Sequence, residues 1–313
     1  MTTTLRLGLG YLRSDMQPGV DVSLIWVHDF TLEQHQEFEQ HLKTIKEASR
    51  RPMLEIVEVA SATLAAALDR FADDRKSAVA AKRSVELDQE ARIAAFATVN
   101  AAYAFQEHAK ATAIRAGGER LWNEVNAVFA NVYHENVCYL VAYKLRQLFV
   151  HDAIGAVRVN SQSKREADGV VDSVDCYVDR SYLKARLTGR AGQWVIDREA
   201  DLSVADLMGG TLAGMEEVFR RTRAMLFPEL TESLAFFDPW RPELLNAEYA
   251  LCLTRVTLTD SGEIGPMKFK QVRPDDLLNA GMAPLTAQEL ASSSELALNR
   301  ICRAADGALD EES

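Results

Sequence analysis

The feature that most constrains the fold is a run of helical periodicity from Ile93 to Phe149, interrupted by the pair Gly117-Gly118. Adjacent glycines end a helix because they readily adopt other backbone conformations. Before the glycines the run is rich in alanine and carries a loose apolar face at helical spacing. Its predicted members are Phe96, Val99, Tyr103, His108 and Ala111. The pattern therefore predicts long helices on both sides of the glycine pair.

After the glycines, the apolar stripe changes phase near Asn136. One stripe contains Leu121, Val125, Val128 and Val132, and a second, shifted stripe contains Cys138, Ala142, Leu145 and Phe149. This segment is either one long helix or two helices with a joint between Asn131 and Asn136. A further helix is predicted after Ser203, because serine is a favoured N-cap residue. Its apolar positions repeat at steps of three and four: Met208, Leu212, Met215, Phe219, Thr222 and Leu226.

Extended segments are predicted near both ends of the chain. Residues 20–29, VDVSLIWVHD, have the composition of a strand. Thr31 then opens a helix with Gln34 as its capping-box partner, and Arg51-Pro52 ends that helix. A second helix is predicted from Leu54 to about Phe71. Residues 248–272 have two strand-like arms around a turn that contains glycine, which predicts a β-hairpin.

These segments predict a mainly α fold with a central helical bundle, a short N-terminal strand and a C-terminal β-hairpin. Three regions follow: residues 1–87 with the N-terminal strand and helices, residues 88–230 with the helical domain, and residues 231–313 with the hairpin and an acidic tail. Within the middle region, residues 151–169 are predicted to form a loop because of Gly155 and a polar tail. Residues 170–179 are interpreted as a strand or an extended connection.

Composition excludes several classes of function. The net charge of -11 repels polyanions, so any contact with nucleic acid must come from a local basic patch. The four cysteines lie far apart without a zinc spacing, which predicts reduced thiols, no metal and no cofactor. No apolar run is long enough to span a bilayer, and residues 1–12 lack the pattern of a signal peptide. We therefore expect a cytoplasmic protein without a membrane partner.

The stretch YKLRQLFVHDA places Arg146 and His151 near the end of a predicted helix. A guanidinium donates two parallel hydrogen bonds to a phosphate and keeps its charge, whereas an imidazole transfers protons near neutral pH. Together they predict cleavage of an RNA phosphodiester without a metal. Such a spacing also arises by chance, so the alternative is a surface arginine and a histidine favoured by the helix dipole.

The context of this pair resembles the HEPN superfamily. Members carry an Arg-x(4-6)-His motif near the end of a helix in a compact helical bundle, and LRQLFVHDAIGAVRV has that form. The resemblance extends over roughly residues 93–226 and includes the helices before and after the motif. It implies a metal-independent endoribonuclease of a toxin or defence type. It also implies an antitoxin or other regulatory protein as a partner.

The resemblance assigns a role to each motif residue. Arg146 contacts the scissile phosphate, His151 is the general acid or base, and Tyr143 and Gln147 are supports. Many members have asparagine or another short polar residue after the arginine, whereas this chain has Gln147. The alternative function is a non-catalytic HEPN-like binding or dimerisation module, in which Arg146 and His151 only cap and pair helices.

Helix geometry predicts a composite site. Five residues correspond to about 140° around a helix and roughly 7.5 Å along it, so Arg146 and His151 do not share one face. Members of the family commonly pair two protomers so that both motifs meet, and we expect a homodimer here. Nearby basic residues are predicted to bind RNA: Lys144, Arg158, Lys164 and Arg165. A second basic cluster follows, at Arg180, Lys184, Arg186 and Arg190, and the alternative for both is a solvated surface.

Overall fold

The structure, a computed structural model, describes residues 4–13, 24–74, 80–152, 156–166, 169–245, 249–258 and 264–286. The helices are α1 (Leu32–Ser49), α2 (Pro52–Asp74), α3 (Ala80–Glu135), α4 (Val137–Asp152), α5 (Arg180–Arg186), α6 (Gly189–Asp197), α7 (Val204–Leu226), α8 (Leu230–Phe237), α9 (Arg241–Leu244) and α10 (Pro274–Ala280). The strands are β1 (Thr4–Arg13), β2 (Leu24–Asp29), β3 (Val157–Glu166), β4 (Gly169–Val178), β5 (Leu202–Ser203), β6 (Tyr249–Leu258) and β7 (Ile264–Gln271). The predicted mainly α class is confirmed. None of the described helices combines the length and apolar character needed to cross a bilayer.

The chain divides into two compact units. The terminal unit contains Met1–Arg50 and Phe227–Ser313, and the central unit contains Arg51–Leu226. This division differs from the three predicted regions, whose first boundary at residue 87 falls inside α3. The reason is long-range packing: α2 packs against α3, and the two ends of the chain share one sheet through β1 and β6.

The terminal unit contains a four-stranded antiparallel sheet in the order β2-β1-β6-β7. The predicted hairpin is confirmed as β6 and β7. The predicted N-terminal strand is confirmed from Leu24 as β2, whereas residues 20–23 lie outside the described part. The sequence interpretation missed β1, which pairs with β6 from Thr4 opposite Leu258 to Arg13 opposite Tyr249.

Helix α1 begins with the predicted capping box. The Thr31 hydroxyl accepts a hydrogen bond from the Gln34 amide at 3.2 Å, and the Thr31 amide donates to Gln34 Oε1 at 2.9 Å. The buried face of α1 contains Phe38, whose ring centroid lies 4.9 Å from that of Phe237 in α8. Helix α1 ends before Pro52, as predicted.

In the central unit, the core stripe of α3 differs from the predicted one. Alanine and a few larger residues form the buried face: Ala91, Ala94, Ala95, Val99, Ala101, Ala102, Phe105, Ala109 and Ala113. Val99 is buried as expected, whereas Phe96, His108 and Ala111 are exposed and Tyr103 is half-buried. Small side chains allow α2 and α3 to approach closely, so the alanines rather than the larger residues face the core. The predicted break is present, because Gly117 and Gly118 leave helical geometry and Gly118 has a φ of 68°.

Asn136 forms the joint between α3 and α4, so the prediction of two helices is the one observed. Its Oδ1 accepts a hydrogen bond from the Tyr139 amide at 3.1 Å, which caps the first turn of α4. Its Nδ2 donates to the carbonyl of Gly210 in α7 at 2.6 Å. The side chain of Asn136 therefore caps the start of α4 and connects the joint to α7.

Helix α7 crosses this joint at close range because two glycines face it. A Cβ on Gly210 would lie 2.5 Å from Cys138 Cβ, and a Cβ on Gly214 would lie 2.6 Å from Tyr139 Cδ1. The predicted cap is confirmed, since Ser203 Oγ accepts hydrogen bonds from the amides of Ala205 and Asp206. The glycines are therefore packing positions that fix α7 against α4.

The prediction of a loop at residues 151–169 is wrong over most of this range. Residues Val157–Glu166 form β3, which pairs with β4 from Val157 opposite Val178 to Glu166 opposite Gly169. Val157 is buried and Val159 is half-buried, so the first residues have the alternation of a strand. The polar tail obscured this strand because its sequence lacks the alternation of apolar residues by which a strand is recognised, whereas its pairing with β4 extends over its full length. The predicted strand at residues 170–179 is confirmed as β4.

Candidate functional site

Arg146 lies in α4 and covers the ring of Tyr103 in α3. The guanidinium carbon of Arg146 is 3.6 Å from the ring centroid of Tyr103. This distance is within the range of a cation–π interaction, which fixes a planar guanidinium flat against an aromatic face. The side chain of Arg146 is half-buried. Tyr103 therefore restricts the position of the predicted phosphate-binding group.

Four tyrosines, which we call the tyrosine cluster, extend from this contact into the core: Tyr103, Tyr143, Tyr133 and Tyr139. The rings of Tyr103 and Tyr143 are stacked, with centroids 6.1 Å apart and an interplanar angle of 20°. The ring centroid of Tyr133 is 5.4 Å from that of Tyr143 and 4.9 Å from that of Tyr139. Because Tyr139 is fully buried, the cluster connects the surface around Arg146 with the core.

Burial keeps the hydroxyl groups of Tyr133, Tyr139 and Tyr143 protonated. It raises the pKa of Tyr133 and of Tyr139 well above the ordinary value. It also raises the pKa of Tyr143, with smaller contributions in the same direction from Tyr103 and Glu107 and an opposing one from Arg146. At neutral pH the predicted supporting residue Tyr143 is therefore a neutral hydrogen-bond donor. Tyr133 already donates, to Gln106 Oε1 at 2.9 Å.

Arg146 has no acidic partner in the part of the chain that the structure describes. Its Nε is buried and has no hydrogen-bond partner among those residues. A buried unsatisfied donor costs about 1–3 kcal/mol, and the attraction of the Tyr103 ring offsets part of this cost. The guanidinium thus keeps its full charge and its terminal N–H groups, which is the state that suits an oxyanion ligand.

The structure places His151 and Gln147 in α4 with Arg146, but the side chains of His151 and Gln147 lie outside the described part. Both Arg146 and His151 lie within one continuous helix, so the predicted separation of about 140° applies to their Cα–Cβ directions. The catalytic pair therefore stays a prediction, for which the structure gives only the backbone positions of Arg146 and His151 on α4.

Of the predicted RNA-binding residues, Lys144 does not share a helix face with Arg146. Lys144 is exposed and lies two residues before Arg146, which corresponds to about 200° around α4. Arg158 is exposed at the start of β3, opposite Tyr177 of β4. Lys164 and Arg165 lie near the far end of the same strand, and their side chains are outside the described part. Lys144 and Arg146 therefore face different sides of the helix.

The second basic cluster is divided among several contacts. Arg180 donates to the carbonyls of Val195, Ile196 and Glu199, which satisfies the C-terminal end of α6. The guanidinium carbon of Arg186 lies 4.0 Å from the ring centroid of Tyr182. Arg190 donates to both the carbonyl and Nδ1 of His134. Lys184 is exposed. Two of these arginines thus hold the fold together through main-chain carbonyls.

The thiols agree with the prediction in the described region. Cys176 and Cys252 are buried, Cys138 is half-buried, and none of the three forms a disulfide. Burial raises the pKa of Cys252 to about 11, so its thiol stays protonated at neutral pH. Cys302 lies outside the described residues. Within the described ranges, no three His, Cys, Asp or Glu side chains converge as metal ligands.

No family model, curated protein or solved structure matches the chain. The resemblance to the HEPN superfamily therefore depends on the motif and its helical context alone. A function can therefore be inferred only from the residues of the site.

The sequence interpretation missed the role of Tyr103, which it assigned to a core-facing stripe. Tyr103 is instead half-buried and provides the surface on which Arg146 lies. No local signal identifies this contact, since α3 and α4 bring the two residues together from distant positions in the chain. The pairing of Arg190 with His134 was missed for the same reason.

Proposed function

We propose that the central unit is a metal-independent endoribonuclease of the HEPN type, in which Arg146 contacts the scissile phosphate of RNA. One observation carries this proposal: a half-buried guanidinium lies on Tyr103 without any acidic partner in the described chain. An unpaired arginine held in one orientation loses little conformational entropy when it binds a phosphate with two hydrogen bonds. The site therefore favours an oxyanion of RNA over a neutral ligand.

The reaction needs a nucleophile, a proton acceptor and a proton donor. The 2′-oxygen of RNA attacks phosphorus, the bond from phosphorus to the 5′-oxygen breaks, and a 2′,3′-cyclic phosphate and a 5′-hydroxyl form. His151 accepts the proton of the 2′-hydroxyl or donates one to the leaving oxygen. Arg146 offsets the charge that develops on the non-bridging oxygens. Tyr143 and Gln147 support this arrangement as hydrogen-bonding groups next to Arg146 in α4.

A second protomer completes the site in this proposal. Arg146 and His151 point about 140° apart on one helix, so two copies of the motif around a two-fold axis bring an arginine of one protomer near a histidine of the other. The apolar residues of the second half of α3 give no support for a dimer, because Val125, Phe129 and Val132 are buried within one chain. The argument for a homodimer is the geometry of the pair.

We expect the protein to be a homodimer at micromolar concentration. Sedimentation velocity and light scattering measure its mass directly against the 34.8 kDa of one chain. Dilution tests whether the dimer is reversible, and RNA cleavage measured over the same dilution series should fall with the dimer fraction. A strict monomer that cleaves RNA would contradict the composite site.

We expect cleavage of single-stranded RNA in the presence of EDTA, because the 2′-hydroxyl is the nucleophile and Arg146 supplies the positive charge. The matched controls are DNA of the same sequence and RNA with a 2′-O-methyl group at the cleaved position, both of which should remain intact. Mass spectrometry of the products should identify a 2′,3′-cyclic phosphate. A 3′-hydroxyl product, or loss of all cleavage with EDTA, would exclude this chemistry.

One observation favours a second candidate, the non-catalytic HEPN-like binding or dimerisation module. The buried Nε of Arg146 and its contact with Tyr103 are also what a packing arginine would show, since its aliphatic stem and planar head fill space between α3 and α4. In that case Arg146→Ala destabilises the central unit and the wild-type protein leaves RNA intact.

A further inference from the structure

A cavity of about 450 Å³ lies on the side of α4 that carries Lys144. Its walls come from the end of α3, from α4 and from the start of α6. Its polar lining residues are Tyr133, His134, Lys144, Thr188 and Arg190. The volume is within the range of small-molecule sites, which is roughly 300–1,000 Å³. The cavity is large enough for a phosphate group together with an attached organic part.

Among the described residues, the two cations that line this cavity have no acidic partner. Lys144 and Arg190 both line it, and neither forms an ion pair with an acidic residue of the described chain. None of the lining residues is Asp or Glu. The protein has a net charge of -11, so acidic residues are abundant in it, yet neither cation is paired with one in the described part of the chain. The pair leaves a positive charge for which no acidic residue lining the cavity in the described part of the chain supplies a counter-charge.

Arg190 is held in position by two contacts with His134. Its Nη2 donates to the main-chain carbonyl of His134, and its Nη1 donates to Nδ1 of the same residue. Neither of these acceptors is a carboxylate, so they fix the guanidinium without pairing it with an acidic group. The remaining N–H groups of Arg190 are therefore oriented before any ligand binds.

The start of α6 provides hydrogen-bond donors at the cavity in addition to the two cations. Gly189 and Ala191 line the cavity, and the amides of a first helical turn lack intrahelical acceptors. Thr188 is the N-cap residue, yet its hydroxyl makes no capping hydrogen bond and stays available as a donor. Gly189 has a φ of 62°, a conformation that lets the backbone turn into the helix at the cavity wall.

We propose that this cavity binds a phosphomonoester through Lys144 and Arg190. A dianionic phosphoryl group suits two cations and a set of backbone donors, and the remaining volume accommodates its organic part. This site is separate from the Arg146 site, since Lys144 and Arg146 project from α4 in directions about 160° apart. It reassigns Lys144 from RNA cleavage to the recognition of a second anion, and it does not depend on the proposed ribonuclease activity.

Isothermal titration of the full-length protein with inorganic phosphate and with adenosine monophosphate tests the proposal. We expect saturable binding of at least one of them at millimolar concentration or below. The Lys144→Gln and Arg190→Gln variants should each weaken it by about tenfold, because each removes a charge-assisted hydrogen bond. Lys184→Gln is the matched control, since Lys184 is exposed and is not a lining residue, and it should bind like the wild type.

The two ligands identify the source of the phosphoryl group. Tighter binding of the nucleotide supports an organic phosphomonoester, and binding of inorganic phosphate alone supports the anion site with free phosphate as its ligand. Lys144 is exposed, so the Lys144→Gln protein should fold even if Arg190→Gln disturbs the contact with His134. Absence of saturable binding, or equal binding by wild type and Lys144→Gln, would overturn the proposal.

Discussion

His151→Ala is expected to lower the rate of RNA cleavage by about a hundredfold or more, because the variant lacks the group that transfers the proton. The measurement is single-turnover cleavage of a labelled single-stranded RNA in the presence of EDTA. The rate of the wild-type protein should also depend on pH because the proposed group transfers a proton, and this dependence should weaken in the variant. His108→Ala is the matched control, since His108 is exposed in α3 and has no role in the proposed site.

Arg146→Lys tests the other half of the pair. We expect it to slow cleavage strongly as well, since a point charge cannot reproduce the bidentate fork or lie flat on Tyr103. Arg115→Lys is the control, because Arg115 is an exposed arginine of α3 outside the proposed site. The site variants should keep the circular dichroism of the wild type and melt within a few degrees of it. Unfolding of Arg146→Ala together with an inactive wild type would favour the binding-module interpretation.

Gly214→Ala is expected to lower the free energy of unfolding by about 1–3 kcal/mol. The new Cβ would lie 2.6 Å from Cδ1 and 2.7 Å from Cβ of Tyr139, which is fully buried and has no room to move away. This steric cost exceeds the gain of about 1 kcal/mol that alanine brings to a helix interior. Urea denaturation of the full-length protein, followed by circular dichroism, measures the change.

Gly209→Ala is the matched control on the same helix. Nothing lies within 4 Å of a Cβ at Gly209, so only the helix propensity changes. We expect this variant to be slightly more stable than the wild type, by up to about 1 kcal/mol. Equal effects of the two substitutions would contradict the close approach of α7 to α4.

Local signals predicted the helices well. The Thr31 capping box, the break at Gly117-Gly118 and the phase change at Asn136 each depend on residues within a turn or two, and all three are present. Elements that depend on distant partners were missed. Strand β1 is defined by its pairing with β6, and β3 is a strand because β4 lies beside it, so neither could be identified from its own residues.

In the candidate site, too, local features were predictable and contacts between distant residues were not. The position of Arg146 near the end of a helix was predictable from the spacing around it. Its contact with Tyr103 was not, because the crossing of α3 and α4 decides which residues meet. The direction of Lys144 away from Arg146 follows from helical geometry once one continuous helix is established. Two basic residues that are close in sequence, such as Lys144 and Arg146, can thus lie on different sides of one helix.

The pairing of β1 with β6 determines when the terminal sheet can form during synthesis. A ribosome adds roughly 5–20 residues per second, so the sheet waits on the order of 10–50 s after β1 emerges before β6 is available. The central unit is synthesised in that interval and can fold while β1 has only β2 beside it and the edge that later pairs with β6 is open. An open strand edge is prone to aggregate, and charged residues along it counteract this tendency. Arg6 and Arg13 provide such charges in TLRLGLGYLR, the segment that must stay soluble until the rest of the chain is made.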